Sequence, residues 1–172
     1  MLLKSFLFPI AILVSFVAAD GAAIVAAMTK VADQSTALND TVASWNGNVF
    51  DLLPILVDST ELLEDIYSAT STAKASANLT ITEGFAVAQE TTALSSIVQS
   101  TLATIVSKKQ EFADLLLQVA ILLELKAEKS ATDNFAAAVT AKLPAELQSV
   151  APSLIAPIDT AFNNAIADYE EW

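Results

Sequence analysis

Carboxylates are the only abundant side chains in this sequence that could take part in acid–base or metal chemistry. Glu61, Glu64 and Asp65 are spaced to share one turn of a helix, and so are Glu124 and Glu128. Either cluster could bind a divalent cation or act as a general acid–base pair. Neither has the alternating oxygen ligands and the glycine of a calcium-binding loop. The sequence therefore favours a solvated acidic face, with no metal site and no catalytic residue.

Two adjacent positive charges occur once in the chain, at Lys108 and Lys109. One interpretation puts an ammonium group at the mouth of a cavity, where it would hold the carboxylate of a ligand. The other puts both lysines near the C-terminus of a helix, where cations suit the helix dipole and the alkyl stems cover apolar surface. The second interpretation is favoured, and the first stays open.

The residue types that are missing exclude most enzyme classes. Of the 172 residues, 20 are acidic and 8 are basic, all of the latter lysine, and the formal charge is −12. Without histidine or cysteine there is no His-dependent serine triad, no thiol nucleophile, no tetrahedral zinc site and no disulfide. The acidic balance argues against nucleic acid as a partner, because phosphates call for a basic patch. We expect a non-enzymatic protein without a cofactor.

The N-terminal segment has the layout of a secretory signal peptide. Lys4 precedes an apolar run from Phe6 to Val17, and Val17-Ala18-Ala19 offers the small residues that signal peptidase accepts. The run is too short to span a bilayer core of about 30 Å, and no later stretch approaches the required length. We therefore predict a signal peptide over residues 1–19, one secreted domain over residues 20–172 and no membrane span. The charged C-terminus predicts no glycolipid anchor.

Secretion makes two tripeptides candidate glycosylation sites. Asn39-Asp40-Thr41 and Asn78-Leu79-Thr80 both match the acceptor pattern. Asn78 is expected in a loop and is therefore the better acceptor.

Composition and periodicity predict an all-α fold, a single-domain bundle of about five amphipathic helices. Glycine occurs only 3 times and proline 5 times. In the first predicted helix, one stripe at helical spacing consists of Ile24, Met28, Val31, Ser35, Leu38, Val42 and Trp45. Residues 46–48 are expected to end that helix. A second helix is predicted from about Asp51 to Ala75, with an inner face of Leu56, Leu63, Ile66 and Thr70, widened by Leu52, Leu53 and Leu62.

Three further helices complete the predicted bundle. Thr80 and Glu83 match a capping box that would begin the third helix, whose inner face is predicted to be Phe85, Ala88, Ser95, Val98, Leu102 and Ile105. The apolar block of residues 115–123 predicts a fourth helix that continues to Leu143 and whose first half is the most buried part of the bundle. The fifth helix has a stripe of Leu147, Val150, Leu154, Ile158, Phe162, Ala165 and Tyr169.

Hydroxyl side chains on the predicted inner stripes suggest an interior that is not fully packed. Ser35, Thr70 and Ser95 lower the apolar content of these stripes without needing a charged partner. A bundle of this kind could enclose an apolar ligand or open onto an apolar surface. Tight packing of the many alanines is the alternative, which the residues alone slightly favour.

Taken together, the segments resemble the fungal hydrophobic surface-binding protein A family, which includes the cell-wall galactomannoprotein antigens. The resemblance covers nearly the whole chain after the signal peptide and is carried by residues in a characteristic order. These are Leu38, Val42, Trp45-Asn46-Gly47, Leu63, Ile66, Leu102, residues 105–112 with Lys108-Lys109 and Phe112, residues 123–126, Phe135, Lys142-Leu143-Pro144, Ile158, Phe162, Ala165-Ile166 and Tyr169. The chain departs from the antigens in having no long Ser/Thr-rich stalk.

The resemblance implies a secreted or wall-associated helical glycoprotein without enzymatic activity. Members of this family adsorb to hydrophobic surfaces and recruit polyester-degrading esterases there, and related wall-antigen domains enclose fatty acids. The leading hypothesis is that the bundle holds a fatty-acid-like lipid, adsorbs to hydrophobic surfaces, or does both. The alternative is a structural wall antigen, or a module that recruits an esterase or a cell-wall component, with a fully packed core.

For a lipid cavity we predict that the lining comes from inward residues of the third, fourth and fifth helices. These residues are Val98, Leu102, Ile105, Leu116, Val119, Leu123, Ile158 and Phe162. Lys108 and Lys109 are the candidate partners for a ligand carboxylate.

Overall fold

The computed structural model describes residues 20–171, and these residues contain helices and no strand. The predicted signal peptide lies outside the described residues. Five long helices make up most of the structure: α1 (Asp20–Ser44), α2 (Leu52–Ala75), α3 (Ile81–Ser107), α5 (Gln118–Thr140) and α7 (Ala151–Glu170). Two short helices, α4 (Lys109–Asp114) and α6 (Ala145–Gln148), and a 3₁₀ turn at Val49–Asp51 lie between them. The prediction of an all-α fold is confirmed.

The stripe predicted for the first helix is the buried face of α1. All seven of its members, from Ile24 to Trp45, are buried. The helix ends at Ser44, and Gly47 follows with a φ of +87°, a backbone conformation that suits glycine. The indole of Trp45 donates a hydrogen bond to the carbonyl oxygen of Asn48 over 2.9 Å, which fixes the turn into α2.

The face that α2 buries differs in part from the predicted one. Ile55, Leu62 and Ile66 are buried, whereas Leu53 and Leu56 are 67% and 59% exposed. Because leucines occur on all sides of the first two turns, apolar spacing alone could not select the correct face. The helix continues through the Ser/Thr-rich tract to Ala75.

The predicted capping box at the start of α3 is confirmed. The Thr80 hydroxyl accepts a hydrogen bond from the Glu83 amide over 3.3 Å, and the Glu83 carboxylate accepts one from the Thr80 amide over 2.9 Å. The same carboxylate accepts a hydrogen bond from the amide of Gly21 over 3.2 Å. The Thr80 hydroxyl also donates a hydrogen bond to this carboxylate over 2.7 Å. That hydrogen bond, followed by those from the Thr80 and Gly21 amides, lowers the pKa of Glu83, and together they join the beginnings of α1 and α3.

The apolar block of residues 115–123 does not begin a continuous, central helix. The chain breaks between α4 and α5 at Leu115–Leu117, where Leu116 has a φ of +60°. The prediction that this block is the most buried part was therefore wrong, since Leu116, Val119 and Leu123 are 84%, 68% and 63% exposed. The buried face of α5 includes Leu125 and Phe135, and at 3.6 residues per turn Val119 and Leu123 point away from that face.

The stripe of the last predicted helix is divided between α6, the adjoining turn and α7. Pro152 lies in the first turn of α7, where a proline is tolerated, and Pro157 lies inside the helix. Ile158, Phe162 and Tyr169 are buried as predicted, and the Tyr169 hydroxyl donates a hydrogen bond to the carbonyl oxygen of Ile105 over 3.0 Å. This hydrogen bond joins the last turn of α7 to the last turn of α3.

The five long helices form a closed ring in the order α1, α2, α5, α7, α3. Each of them packs against two neighbours in this ring, so all of their buried faces meet along one common axis. The hydroxyl residues predicted for the inner stripes are indeed buried: Ser35, Thr70 and Ser95 are 2%, 7% and 5% exposed. The ring therefore surrounds an interior that contains small and polar side chains as well as large apolar ones.

Candidate functional site

An apolar cavity lies at the end of the ring where α3 and α7 begin. This Phe85 cavity has a volume of about 110 Å³ and receives side chains from α1, α3, α5, α6 and α7. Phe85 is 61% exposed and lies at its mouth. Its walls are almost entirely apolar and include Met28, Val87, Leu94, Phe135, Ala136, Val139, Leu147, Leu154 and Ile158.

Gly84 allows the chain around α6 to close over one side of the Phe85 cavity. A Cβ atom at this position would lie 2.5 Å from a methyl carbon of Leu147, so the Leu147 side chain would have to move to make room for it. Glycine therefore lets α3 approach Leu143 and Leu147, which form part of the cavity wall.

Two further cavities continue along the axis of the ring. A central cavity of about 30 Å³ shares Leu94, Thr132, Phe135 and Ile158 with the Phe85 cavity. A third cavity of about 120 Å³, the Phe112 cavity, lies at the opposite end, where α2 and α5 begin. Glu128 lines both the central cavity and the Phe112 cavity. The interior is thus partly hollow, with three spaces in a row that are separated by a few side chains.

Glu128 is the only ionisable side chain that lines the central cavity. It is 4% exposed, and in the described part of the chain no hydrogen bond and no cation contacts its carboxyl group. Burial, with a smaller contribution from the negative charge of Glu124, raises the pKa of Glu128 to about 8. The prediction that Glu124 and Glu128 form a solvated acidic face was therefore wrong for Glu128.

Hydroxyl groups form the other polar part of the central cavity. The side-chain oxygens of Ser35 and Thr101 lie 3.0 Å apart, and the Thr101 hydroxyl is within 3.1 Å of the Ser35 carbonyl oxygen. Because these groups satisfy each other across α1 and α3, they present little unpaired polarity to the interior. The carboxyl group of Glu128 and the hydroxyl of Thr132, which also lines this cavity, make no such hydrogen bond within residues 20–171.

The structure divides the predicted lining residues into two groups. Val98, Leu102, Ile158 and Phe162 line the central cavity, and Ile105 lines the Phe112 cavity. Leu116, Val119 and Leu123 line none of the three cavities. They lie on the outer surface, because the chain breaks before α5 and the helical register changes there.

Several lining residues were not predicted, and two of them separate the cavities. Phe135 lies between the Phe85 and central cavities, and Glu128 lies between the central and Phe112 cavities. Their spacing of seven residues, which puts both on one face of α5, was a signal in the sequence. Val87, Leu94 and Thr101 show the same spacing on α3.

Both lysines proposed as carboxylate partners contact main-chain carbonyl groups outside the three cavities. The ammonium group of Lys108 donates a hydrogen bond to the carbonyl oxygen of Trp45 over 2.6 Å and lies 3.8 Å from the carboxylate of Glu111. Lys109 donates to the carbonyl oxygen of Asp168. Lys108 thus stabilises the end of α1, and Lys109 the end of α7.

The two candidate glycosylation sites have different surroundings. Asn78 is exposed in the loop between α2 and α3. Asn39 lies within α1, and its side-chain oxygen accepts a hydrogen bond from the hydroxyl of Thr104 over 2.7 Å. Asn78 is therefore the more accessible of the two.

Fold and interior together define a helical bundle with a partly hollow, apolar centre. Within residues 20–171 there is no cluster of metal-binding side chains, and no helix is long and apolar enough to cross a membrane. The model of one family, hydrophobic surface binding protein A, matches residues 21–141. The chain belongs to this family, which confirms the resemblance found in the sequence.

Two curated relatives carry the name cell wall mannoprotein 1. The protein from Aspergillus flavus is 27% identical over 144 residues, and the one from Aspergillus fumigatus is 28% identical over 147 residues. These alignments cover 84% and 86% of this chain but only 52% and 51% of the relatives. The chain thus spans about half the length of the curated relatives that it matches.

Two solved structures share the fold. The crystal structure of Afmp4p in complex with palmitic acid matches with a TM-score of 0.83 and 25% identity, and the match covers 87% of this chain and 99% of that one. Ligand-binding domain 1 of the Penicillium marneffei MP1 protein, complexed with arachidonic acids, matches with a TM-score of 0.82 at 15% identity and covers 87% and 98% of the two chains. The second match shows a common fold only.

Proposed function

We propose that this protein is a secreted, non-enzymatic binding protein that holds the alkyl chain of a fatty-acid-like lipid inside its helix ring. The observation that carries the proposal is the row of three apolar cavities along the axis of the ring. The ligand named for the Afmp4p structure, palmitic acid, is of the class that such a row would fit.

Apolar contact alone provides enough free energy for useful affinity. Each methylene group transferred from water contributes about 0.8 kcal/mol, before the entropic cost of binding. A long chain that passes from one cavity to the next must displace the side chains between them, above all Phe135 and Glu128. Binding is therefore expected to rearrange these side chains while the helix ring persists.

A substitution that fills the Phe85 cavity tests the proposal. Ala136 lines this cavity, and an indole ring at its position would occupy space that the lipid chain needs. If Ala136→Trp excludes about four methylene groups, affinity for palmitic acid should fall by about 3 kcal/mol, or roughly a hundredfold. Isothermal titration calorimetry in mildly acidic buffer measures the change.

The neighbouring residue supplies the matched control. Ala137 is exposed and lines none of the three cavities, so Ala137→Trp should bind palmitic acid as the unaltered protein does. Circular dichroism establishes that both variants fold, and the smaller change Ala136→Leu replaces Ala136→Trp if the latter does not. Equal affinity of folded Ala136 and Ala137 variants would refute lipid binding in this cavity.

Adsorption to hydrophobic surfaces is a second candidate function, supported by an exposed apolar patch. Eight large apolar side chains are exposed in two segments, residues 49–57 and 116–123. They are Val49, Phe50, Leu53, Leu56, Val57, Leu116, Val119 and Leu123. Leu56 and Ala120, from the two segments, both line the Phe112 cavity, so the patch borders the mouth of this cavity. Exposed apolar groups collected in one region are typical of an interaction surface.

Polar substitutions in this patch should weaken adsorption to polyester or Teflon particles. The triple change Leu116→Ser, Val119→Ser and Leu123→Ser removes side chains that could each contribute about 1.5–3 kcal/mol when buried, so we expect at least roughly tenfold weaker adsorption. Depletion of the protein from solution by the particles is the readout. Tyr67→Ser with Ile81→Ser, exposed apolar residues outside both segments, serves as the control and should adsorb normally. Similar losses in both variants would contradict a dedicated surface.

The cell-wall names of the relatives support an extracellular or wall location for this chain as well. We further propose that residues 1–19 are removed as a signal peptide, that residues 20–172 act as one domain and that Asn78 rather than Asn39 is glycosylated. Recruitment of a secreted esterase or a cell-wall component would use the exposed patch, since the three cavities are interior spaces.

A further inference from the structure

Glu128 places a carboxyl group in the otherwise apolar interior of the helix ring. Its carboxyl group lies at the junction of the central and Phe112 cavities, 4% exposed and without a hydrogen-bond donor from residues 20–171. No side-chain oxygen of residues 20–171 is both inaccessible and without a hydrogen bond, so the carboxyl oxygens of Glu128 keep a little accessible surface beside the cavities that they line. A ligand that enters these cavities and donates a hydrogen bond to them gains affinity.

The charges around this carboxyl group are all negative or engaged elsewhere. Among the residues that line the central and Phe112 cavities, from α1, α2, α3, α4, α5 and α7, Glu124 is the only other ionisable one. The nearest lysines along α5, Lys126 and Lys129, form ion pairs on the outside of the ring with Glu170 at 2.6 Å and with Asp133 at 2.9 Å. No cation of the described chain therefore reaches the interior beside Glu128.

Glu124 and Ser59 extend the polar site towards the Phe112 end. The hydroxyl of Ser59 donates a hydrogen bond to the Glu124 carboxylate over 3.0 Å, and both residues line the Phe112 cavity with Glu128. This corner offers acceptor oxygens and no positive charge. Above about pH 8, where Glu128 is ionised, a head group that is itself an ionised carboxylate would meet two like charges there, which costs binding free energy.

The distance along the ring fits a single alkyl chain. From Glu128 to Ala136, which lines the Phe85 cavity, α5 rises by roughly 12 Å at 1.5 Å per residue. A fully extended chain covers about 1.2 Å per bond, so about eleven carbons bridge this distance. The head group can thus lie at Glu128 while the tail ends in the Phe85 cavity.

We propose that Glu128, with Glu124 beside it, selects single-chain lipids whose head group donates hydrogen bonds and carries no negative charge. The proposal rests on the proposed lipid binding and adds the chemistry of the head group. Long-chain amines satisfy it best, because an ammonium group donates three hydrogen bonds and neutralises the buried carboxylate. Long-chain alcohols satisfy it without charge. Ionised fatty acids meet repulsion as long as Glu128 is ionised as well.

Three probes with the same tail test this selectivity: dodecylamine, 1-dodecanol and dodecanoate. At about pH 8.5 the amine is protonated and the acid is ionised. Isothermal titration calorimetry on the unaltered protein should give the affinity order amine, alcohol, acid. Dodecanoate should bind more tightly at about pH 5, where Glu128 is protonated and can donate a hydrogen bond to the ligand.

Glu128→Gln isolates the carboxyl group with little change of shape. Loss of a charge-assisted hydrogen bond should lower the affinity ratio of amine to acid by about tenfold or more. Glu61→Gln removes the same charge from an exposed position outside the cavities and should leave the ratio unchanged, which controls for attraction of the amine to the acidic surface. The uncharged alcohol gives a second control for that attraction.

The outcomes separate this inference from the proposed function. An unchanged ratio in Glu128→Gln, or dodecanoate binding the unaltered protein as tightly as dodecylamine at about pH 8.5, would overturn the selectivity while lipid binding stands. Failure of all three probes to bind would overturn lipid binding and this inference together.

Discussion

Replacing Phe112 by alanine is expected to lower the free energy of unfolding by about 3–5 kcal/mol. The Phe112 side chain is 1% exposed, its ring stacks on Trp45 at a centroid distance of 4.6 Å, and it lines the Phe112 cavity of about 120 Å³. Removing the ring enlarges a cavity that is already present, and the surrounding helices cannot collapse into both spaces. The loss of the aromatic pair adds about 0.5–1.5 kcal/mol to the usual cost of lost apolar contact.

Urea denaturation followed by far-ultraviolet circular dichroism measures this effect without depending on Trp45 fluorescence. The midpoint should fall while the slope of the transition stays constant. Phe50, which is 87% exposed, provides the same substitution at the surface, and Phe50→Ala should change stability by less than about 0.5 kcal/mol. A loss below about 1 kcal/mol for Phe112→Ala would mean that α4 does not hold the Phe112 end of the ring together.

The parts of the fold that followed from the sequence are those with one clear apolar stripe. The residues from Ile24 to Val42 in α1, and Trp45 just after it, step by three and four, and the structure buries every one of them. The capping box of Thr80 and Glu83 was equally recognisable, because it depends on neighbouring residues alone. Local chemistry and a single stripe therefore suffice where no second face competes.

The break between α4 and α5 could not be predicted in the same way. Residues 115–123 are apolar on nearly all sides, so the pattern does not select which face turns inwards. Leu116 adopts a φ of +60°, a conformation that a leucine rarely takes and that no sequence signal announces. The break changes the helical register, and this change moves Leu116, Val119 and Leu123 from the expected interior to the surface.

Of the residues that line the central cavity, the sequence predicted several apolar ones but not Glu128. Val98, Leu102, Ile158 and Phe162 line the central cavity because they belong to clear stripes on α3 and α7. Glu128 was assigned to the surface, since charged residues are rarely buried without a partner. Only its spacing of seven residues from Phe135 on the buried face of α5 opposed that assignment.

The burial of Glu128 has a consequence for the dependence of stability on pH. In the unfolded chain the carboxyl group has its ordinary pKa of 4.5, whereas in the folded protein burial raises the pKa to about 8. Between these values the folded state holds one proton more than the unfolded state, so raising the pH favours unfolding. At about 1.4 kcal/mol per unit of pKa, the stability lost through Glu128 between pH 4.5 and 8 is on the order of 4 kcal/mol.

Glu128→Gln removes this dependence, because the amide stays neutral in both states. At about pH 5 the variant and the unaltered protein should be similarly stable, and at about pH 8 the variant should be more stable by on the order of 4 kcal/mol. Urea denaturation across this range measures the difference, with Glu61→Gln as the exposed control whose difference should not change with pH. A constant difference for Glu128→Gln would show that water or a neighbouring donor solvates the carboxylate. If instead the difference grows with pH, an ammonium ligand at Glu128 should remove it by stabilising the ionised form in the folded state.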